Sequence, residues 1–308
     1  MCSPDVLAPS TLSSYKMPLG GPELPSFVMD SLGPRRSHAP NSSMRLTSRD
    51  IAILELVSRC RALRADHIQI ALFTPGGASR TQRRLTLLVR NHYLDRLPRR
   101  SVNEQAVYLL TRRSVQGNRI IRATQGDAVF RRHMTRLGSL PHLLGINDVR
   151  VRVERACREL GWELRQWRSA EDLVKRMPST VLVPDAYFTI GQSHGQTVSF
   201  FLELERVPKT IQVVRGKLSR YADLIRRSLG QPDRSLCVLF VFDDTIPEGL
   251  SHRAEAANQE ATRIGATFAR FIALSRLTTL ASADCLAKPV WLAPGHGTPL
   301  ALSGVPGA

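Results

Sequence analysis

The segment 209–229 sets the tightest limit on how this chain can fold. Ile211, Val214, Leu218, Tyr221 and Ile225 step by 3, 4, 3 and 4, which is one face of a helix. Two strand-like runs flank it: Val198–Glu205, and the apolar, fully buried type Ser235–Phe242. Ahead of them lie an amphipathic helix at Ile146–Leu160 ended by Gly161, a strand at Trp162–Trp167, a short helix or turn at Ala170–Arg176, and a strand at Thr180–Ile190. Gly191-Gln192-Ser193-His194-Gly195 is a natural hairpin turn into the next strand. The order over 141–243 is α, β, β, β, α, β. Residues 250–292 add another helix or two and a last short strand at Val290–Leu292.

The N-terminal half reads differently. Thr47-Ser48-Arg49-Asp50 is a helix start, with Thr47 as N-cap and an acid three residues on. Ile51, Leu54 and Val57 follow at helical spacing. A second, shorter helix spans Arg64–Phe73 and is broken by Pro75-Gly76-Gly77. Ser79 with Gln82 reads as a second capping box, opening a helix to about Asn91. Tyr93–Leu97 and Ala106–Thr111 read as short strands around the polar tip 98–105. Three helices followed by a hairpin is the winged-helix order. The fold class expected is therefore α/β (α+β), an N-terminal winged helix-turn-helix followed by an αβββαβ domain of restriction-endonuclease type. The expected boundaries are a disordered leader at 1–43, rich in Pro, Ser and Gly, the winged helix at 44–116, a basic linker at 117–140, either plain or with a short helix, the second domain at 141–295, and a frayed tail at 296–308. Met44, directly before the first ordered pattern, is an alternative start.

The net charge is +17, and its placement matters more than its size. Residues 1–43 are balanced. Residues 44–116 carry 14 Arg against 5 acids, and 117–140 carry 5 against 1, so 13 of the 17 net charges fall in 44–140. Charge concentrated in this way points to a polyanion. The third helix carries Arg80, Thr81, Arg83, Arg84 and Arg90, and the hairpin carries Arg96, Arg99 and Arg100. In helix-turn-helix proteins the start of the recognition helix enters the major groove, where arginine takes guanine or phosphate. A wing arginine meets the backbone or the minor groove. Double-stranded DNA is thus the expected partner, through these eight residues. Cysteines at 2, 60, 157, 237 and 285 are odd in number and lie outside metal-clip spacing, which fits a reducing cytoplasm. No apolar run approaches the ~20 residues of a membrane helix.

The second domain carries acids where a nuclease would. In the PD-(D/E)xK fold one strand supplies Asp and the next Glu-x-Lys. Here Pro184-Asp185 lies on the middle strand and Glu203-Leu204-Glu205 closes the next. Asp185 and Glu203 are candidate Mg²⁺ ligands, should the domain be catalytic, and Glu154 is a candidate third acid. Glu205 stands where the pattern has Lys, so Lys209 or Lys217 would have to supply the cation. Solvated strand ends are the plain alternative for these acids.

Several ordered segments together resemble the bacterial replication-relaxation family: LTSRDIAILELV, SRTQRRLTLLVRNHYLDRL, HLLGINDVRVRV, PDAYF, FFLELER and KLSRYADLI. The resemblance covers residues 46–243. It implies a role in plasmid replication and DNA relaxation, with replication or mobilisation proteins as further partners. It also implies that Asp185, Glu203 and Glu205 are the acids of the nuclease-like core, with Lys217 on the following helix. Three functions stay open: a non-cutting DNA-binding factor, a metal-dependent nicking enzyme, and a winged-helix transcription regulator with a sensing or dimerising second domain. A homodimer is left open.

Overall fold

Helix α1 (Ser48–Cys60) begins on the expected cap. The Thr47 side chain meets the Asp50 N–H, and Asp50 Oδ2 accepts from Thr47 N at 2.6 Å. Strand β1 (Ala62–Arg64) follows, then α2 (Ala65–Leu72), α3 (Ala78–Arg90), β2 (Asp95–Arg96) and β3 (Val107–Leu109). β3 pairs antiparallel with both β1 and β2, giving a three-stranded sheet. The structure is a computed structural model. It describes residues 44–99, 101–102, 104–126, 140–176, 182–207, 209–228, 235–245 and 252–305. The leader 1–43, Arg100 and residues 127–139 lie outside the described residues.

Two details differ from the sequence reading. Strand β1 was not anticipated, because three residues between helices carry no period. Helix α3 starts one residue before Ser79, with Gly77 as N-cap and no side-chain cap, so the Ser79–Gln82 box does not form. The core here is Ile53, Leu54, Val57, Ile68, Leu85, Leu88 and Tyr108.

The expected linker is partly a helix. α4 (Val115–Gln125) buries Ile121 in that same core. It comes so close to the hairpin that a Cβ on Gly117 would sit 2.0 Å from Tyr93 O, so the helix accepts a poor helix former there.

Helix α5 (Leu140–Leu160) starts six residues before the expected Ile146, with Pro141 in the first turn, where its missing N–H costs nothing. It ends at Gly161, φ 69°. Its residues serve both halves. Leu140, Leu143 and Leu144 pack on the small sheet, Val151 joins the first core, and Val149, Val153 and Ala156 join the second. All described residues fall within one compact unit.

The larger sheet runs β4 (Glu163–Ser169), β5 (Ala186–Gly191), β6 (Thr197–Glu205), β7 (Ser235–Phe242), β8 (Ala269–Ala273) in that spatial order. The first three are antiparallel, and β6, β7 and β8 are parallel. Short helix α6 (Ala170–Arg176) joins β4 to β5, and α7 (Ile211–Ser228) and α8 (Arg253–Arg263) make the parallel crossovers. Strand alternation sorts the faces. Phe200, Leu202 and Leu204 of β6 face α5, whereas Phe201 faces Val214, Leu218 and Tyr221 of α7 and Ala257 of α8. On the first face a Cβ on Gly145 would lie 2.6 Å from Leu204 Cδ2, so glycine permits the close seating of α5.

The C-terminal part corrects two expectations. β8 was not anticipated within 250–292, and the last short strand expected at Val290–Leu292 forms only isolated bridges, Leu292 to Phe271 and Trp291 to Leu300. The tail from 296 is not frayed over its described length. Leu300 exchanges backbone hydrogen bonds with Trp291, and Leu302 and Val305 are buried in the second core beside helices α9 (Leu274–Thr279) and α10 (Asp284–Ala287).

Candidate functional site

The arginines of α3 divide into two groups. Arg80, Arg83 and Arg90 are exposed and stand at i, i+3 and i+10, one stripe about 15 Å long. The first turn of α3 holds no acid. Positive side chains there oppose the helix dipole by about 0.3–1 kcal/mol each. Arg80 has a 3.3 Å contact to Thr74 Oγ1.

Arg84 and Thr81, expected in the same interface, point elsewhere. Arg84 is engaged through Nε and Nη2 with the fully buried Asp50. Burial opposes ionisation of Asp50, but the hydrogen bonds from Arg84 and Thr47 outweigh it and hold its carboxyl below the usual range. Arg84 therefore clamps α3 to the cap of α1. Thr81 is buried, with its hydroxyl on Gly77 O at 3.0 Å, because position 81 lies on the face of Leu85 and Leu88. On the hairpin, Arg96 is half-buried and Arg99 exposed.

The acids gather around α7. Glu203 and Glu205 alternate with Leu204, so both lie on the face covered by that helix, and Val214, Lys217, Leu218 and Tyr221 form its inward stripe. Lys217 Nζ lies 2.6 Å from Glu203 Oε2 and also bonds Glu205 Oε1. Tyr221 donates its hydroxyl to Glu203 Oε1. Lys209 Nζ is 2.7 Å from Glu205 Oε2. Asp185, just before β5, accepts from Leu204 N at 2.8 Å, and its other oxygen lies 2.9 Å from His142 Nε2 on α5. Glu154, by contrast, pairs with Arg150 at 3.1 Å and Arg59 at 3.7 Å.

The electrostatics follow from burial. Glu203 is 3% exposed, and burial, with the charge of Asp185 adding to it, raises its pKa against the pull of Lys217. Glu205 is 1% exposed. Burial would raise it, but the charges and hydrogen bonds of Lys217 and Lys209 bring it below the ordinary value. Burial disfavours the Lys217 ammonium, and the two glutamates reverse this, leaving it firmly protonated. Each carboxylate oxygen of Asp185 and Glu203 has a hydrogen-bonding partner, and so has Glu205 Oε1, while Glu205 Oε2 makes no hydrogen bond of good geometry and is matched by the Lys209 ion pair alone. A resident Mg²⁺ would have to displace the Lys217 ammonium, so the residues as arranged do not fit one.

Sequence reasoning missed a second charged centre. Asp148 of α5 is buried and receives Arg64 Nη2 at 2.6 Å and Arg152 Nη1 at 3.2 Å, while His67 Nε2 lies at 3.0 Å. His67 Nδ1 accepts from Arg64 N, so Nε2 carries the proton. Asp66, His67 and Asp148 are close enough to hold a metal, yet the arginines already supply the counter-charge. The signal was present as charged residues on inward helix positions.

The fold and these sites define a mixed α/β protein with two sheets and an arginine stripe on one exposed helix. A family model described as replication-relaxation matches residues 54–239, more than half of the chain, and the chain belongs to that family. No curated protein and no solved structure matches it. Among the described residues, no helix is long and apolar enough to cross a membrane.

Proposed function

We propose that the protein is a duplex-DNA-binding factor of plasmid replication and DNA relaxation, and that its larger sheet belongs to a nuclease-like fold that does not cut. In this reading residues 44–116 act as a winged helix. α3 enters the major groove and the hairpin β2–β3 lies along the backbone. The observation that carries it is the stripe Arg80, Arg83 and Arg90, exposed on a helix whose first turn holds no acid. Family membership supports the biological setting. The pairing of Glu203 and Glu205 with Lys217 and Lys209, and of Asp185 with His142, supports the absence of cleavage.

One observation favours a nicking enzyme instead. Lys217 brings a cation to Glu203, which is what the Glu205 replacement removes from the nuclease pattern. Supercoiled plasmid incubated with protein and Mg²⁺ or Mn²⁺ separates the two. The reading expects a mobility shift without nicked product, and the same shift for Asp185→Ala. Metal-dependent nicking that is lost in Asp185→Ala would replace it.

A further inference from the structure

Helix α4 follows the hairpin and brings more arginine close to the end of α3. Residues 105–126 contain four arginines and no acid. Arg112, Arg113, Arg119 and Arg122 are all exposed. Arg112 lies two residues before Ser114, the N-cap of α4, where positive charge opposes the helix dipole.

Their position is fixed rather than incidental. After Arg90 the chain turns sharply through His92, φ 58°, and both Tyr93 N and Leu94 N bond Leu88 O. Gln116 N then donates to His92 O at 3.1 Å, so the first turn of α4 sits against the end of α3. Gly117 makes that contact possible. The turn that carries Arg112 is held from both sides. Thr111 Oγ1 donates to Asp95 Oδ2 of β2 at 2.8 Å, and Asn118 Nδ2 of α4 donates to Thr111 O at 2.7 Å. Arg119 is one turn beyond Gln116 on the solvent face of α4. Arg90, at the end of the α3 stripe, lies two residues before His92, whose carbonyl holds the first turn of α4, so Arg112 and Arg119 lie on either side of that junction in the chain.

From this placement we propose that Arg90, Arg112 and Arg119 form a second contact surface for duplex DNA, taking backbone phosphates that flank the bases met by α3. The proposal rests on the DNA-binding reading above and adds to it a longer footprint with a sequence-independent arm. Phosphate contacts position a protein on the duplex without reading sequence, and each one neutralised adds about 0.9 to the salt slope.

The test uses the full chain on a duplex of about 30 base pairs, comparing wild type, the double variant Arg112→Gln/Arg119→Gln, and Arg83→Gln. Affinity is measured against salt, and the protected backbone is mapped by hydroxyl-radical cleavage. Both glutamine positions are exposed, so the fold is retained. The double variant should have a salt slope less negative by about 2, and should lose protection at one flank while keeping its base preference. Arg83→Gln should keep the flanking protection. An unchanged slope and footprint in the double variant, with Arg83→Gln still weakened, would overturn the second surface and leave the α3 reading intact. Absence of duplex binding by the wild type would overturn both.

Discussion

Charge is handled in opposite ways in two regions of this chain. On α3 the side chains Arg80, Arg83 and Arg90 reach solvent from a helix with no acid in its first turn. Under α7 the carboxylates of Glu203 and Glu205 are buried, and Lys217 and Lys209 satisfy them. Exposed unmatched charge costs little and is available to a polyanion. Buried matched charge stays only while every partner stays, and is unavailable to anything else. Arg84 shows that the distinction lies in position rather than residue type. One residue from Arg83, it turns inward to Asp50.

The largest effect should come from breaking the buried pairing. Lys217→Met leaves two buried carboxylates without their shared cation, and should destabilise the fold by about 3–5 kcal/mol. Denaturant unfolding would measure this, and a loss below about 1 kcal/mol would mean that water reaches the cluster. A smaller effect separates two neighbours on α3. Arg84→Ala should cost about 2 kcal/mol by stranding Asp50, whereas Arg83→Ala should stay within about 0.5 kcal/mol. Equal costs would erase the division between clamp and stripe.

The smallest effect is a pH dependence at the junction. Burial lowers the His67 pKa, against the hydrogen bond to Asp148. An unfolded histidine takes a proton below about pH 6.5, and His67 in the fold resists it, so stability falls as pH drops from there. Glu203, whose pKa is raised, works in the opposite sense nearer its own range. The Tm of wild type should therefore fall between pH 7 and 5.5 more than that of His67→Gln. Parallel declines would remove His67 as the cause.

Much of this was legible where local chemistry decides the outcome. The Thr47–Asp50 cap, the end of α5 at Gly161 and the α7 stripe from Ile211 to Tyr221 each rest on a few neighbouring residues, and each is present, while Leu224 rather than Ile225 packs at the stripe's end. Strand β8 was not legible, and helix α4 only as an optional short helix in the basic linker, since their periods are short and tertiary packing decides them. Within the sites, sequence placed arginine on α3 but not its rotation. The apolar face set by Leu85 and Leu88 carries Thr81 inward, and only the position of Asp50 shows why Arg84 follows. Lys217 could be named as a lysine on the helix after β6, in line with the family resemblance, while its bridge between two glutamates needed the register of β6.

The central claim is that exposed arginine on α3, and not the acidic cluster, engages duplex DNA. Affinity of the full chain for duplex, followed from 50 to 200 mM salt, tests it most directly in wild type and Arg80→Gln/Arg83→Gln. The account predicts a wild-type slope near −5, as for about six phosphates, and a double variant with weaker binding and a shallower slope. Wild-type binding that is flat in salt, or a double variant indistinguishable from wild type, would contradict it.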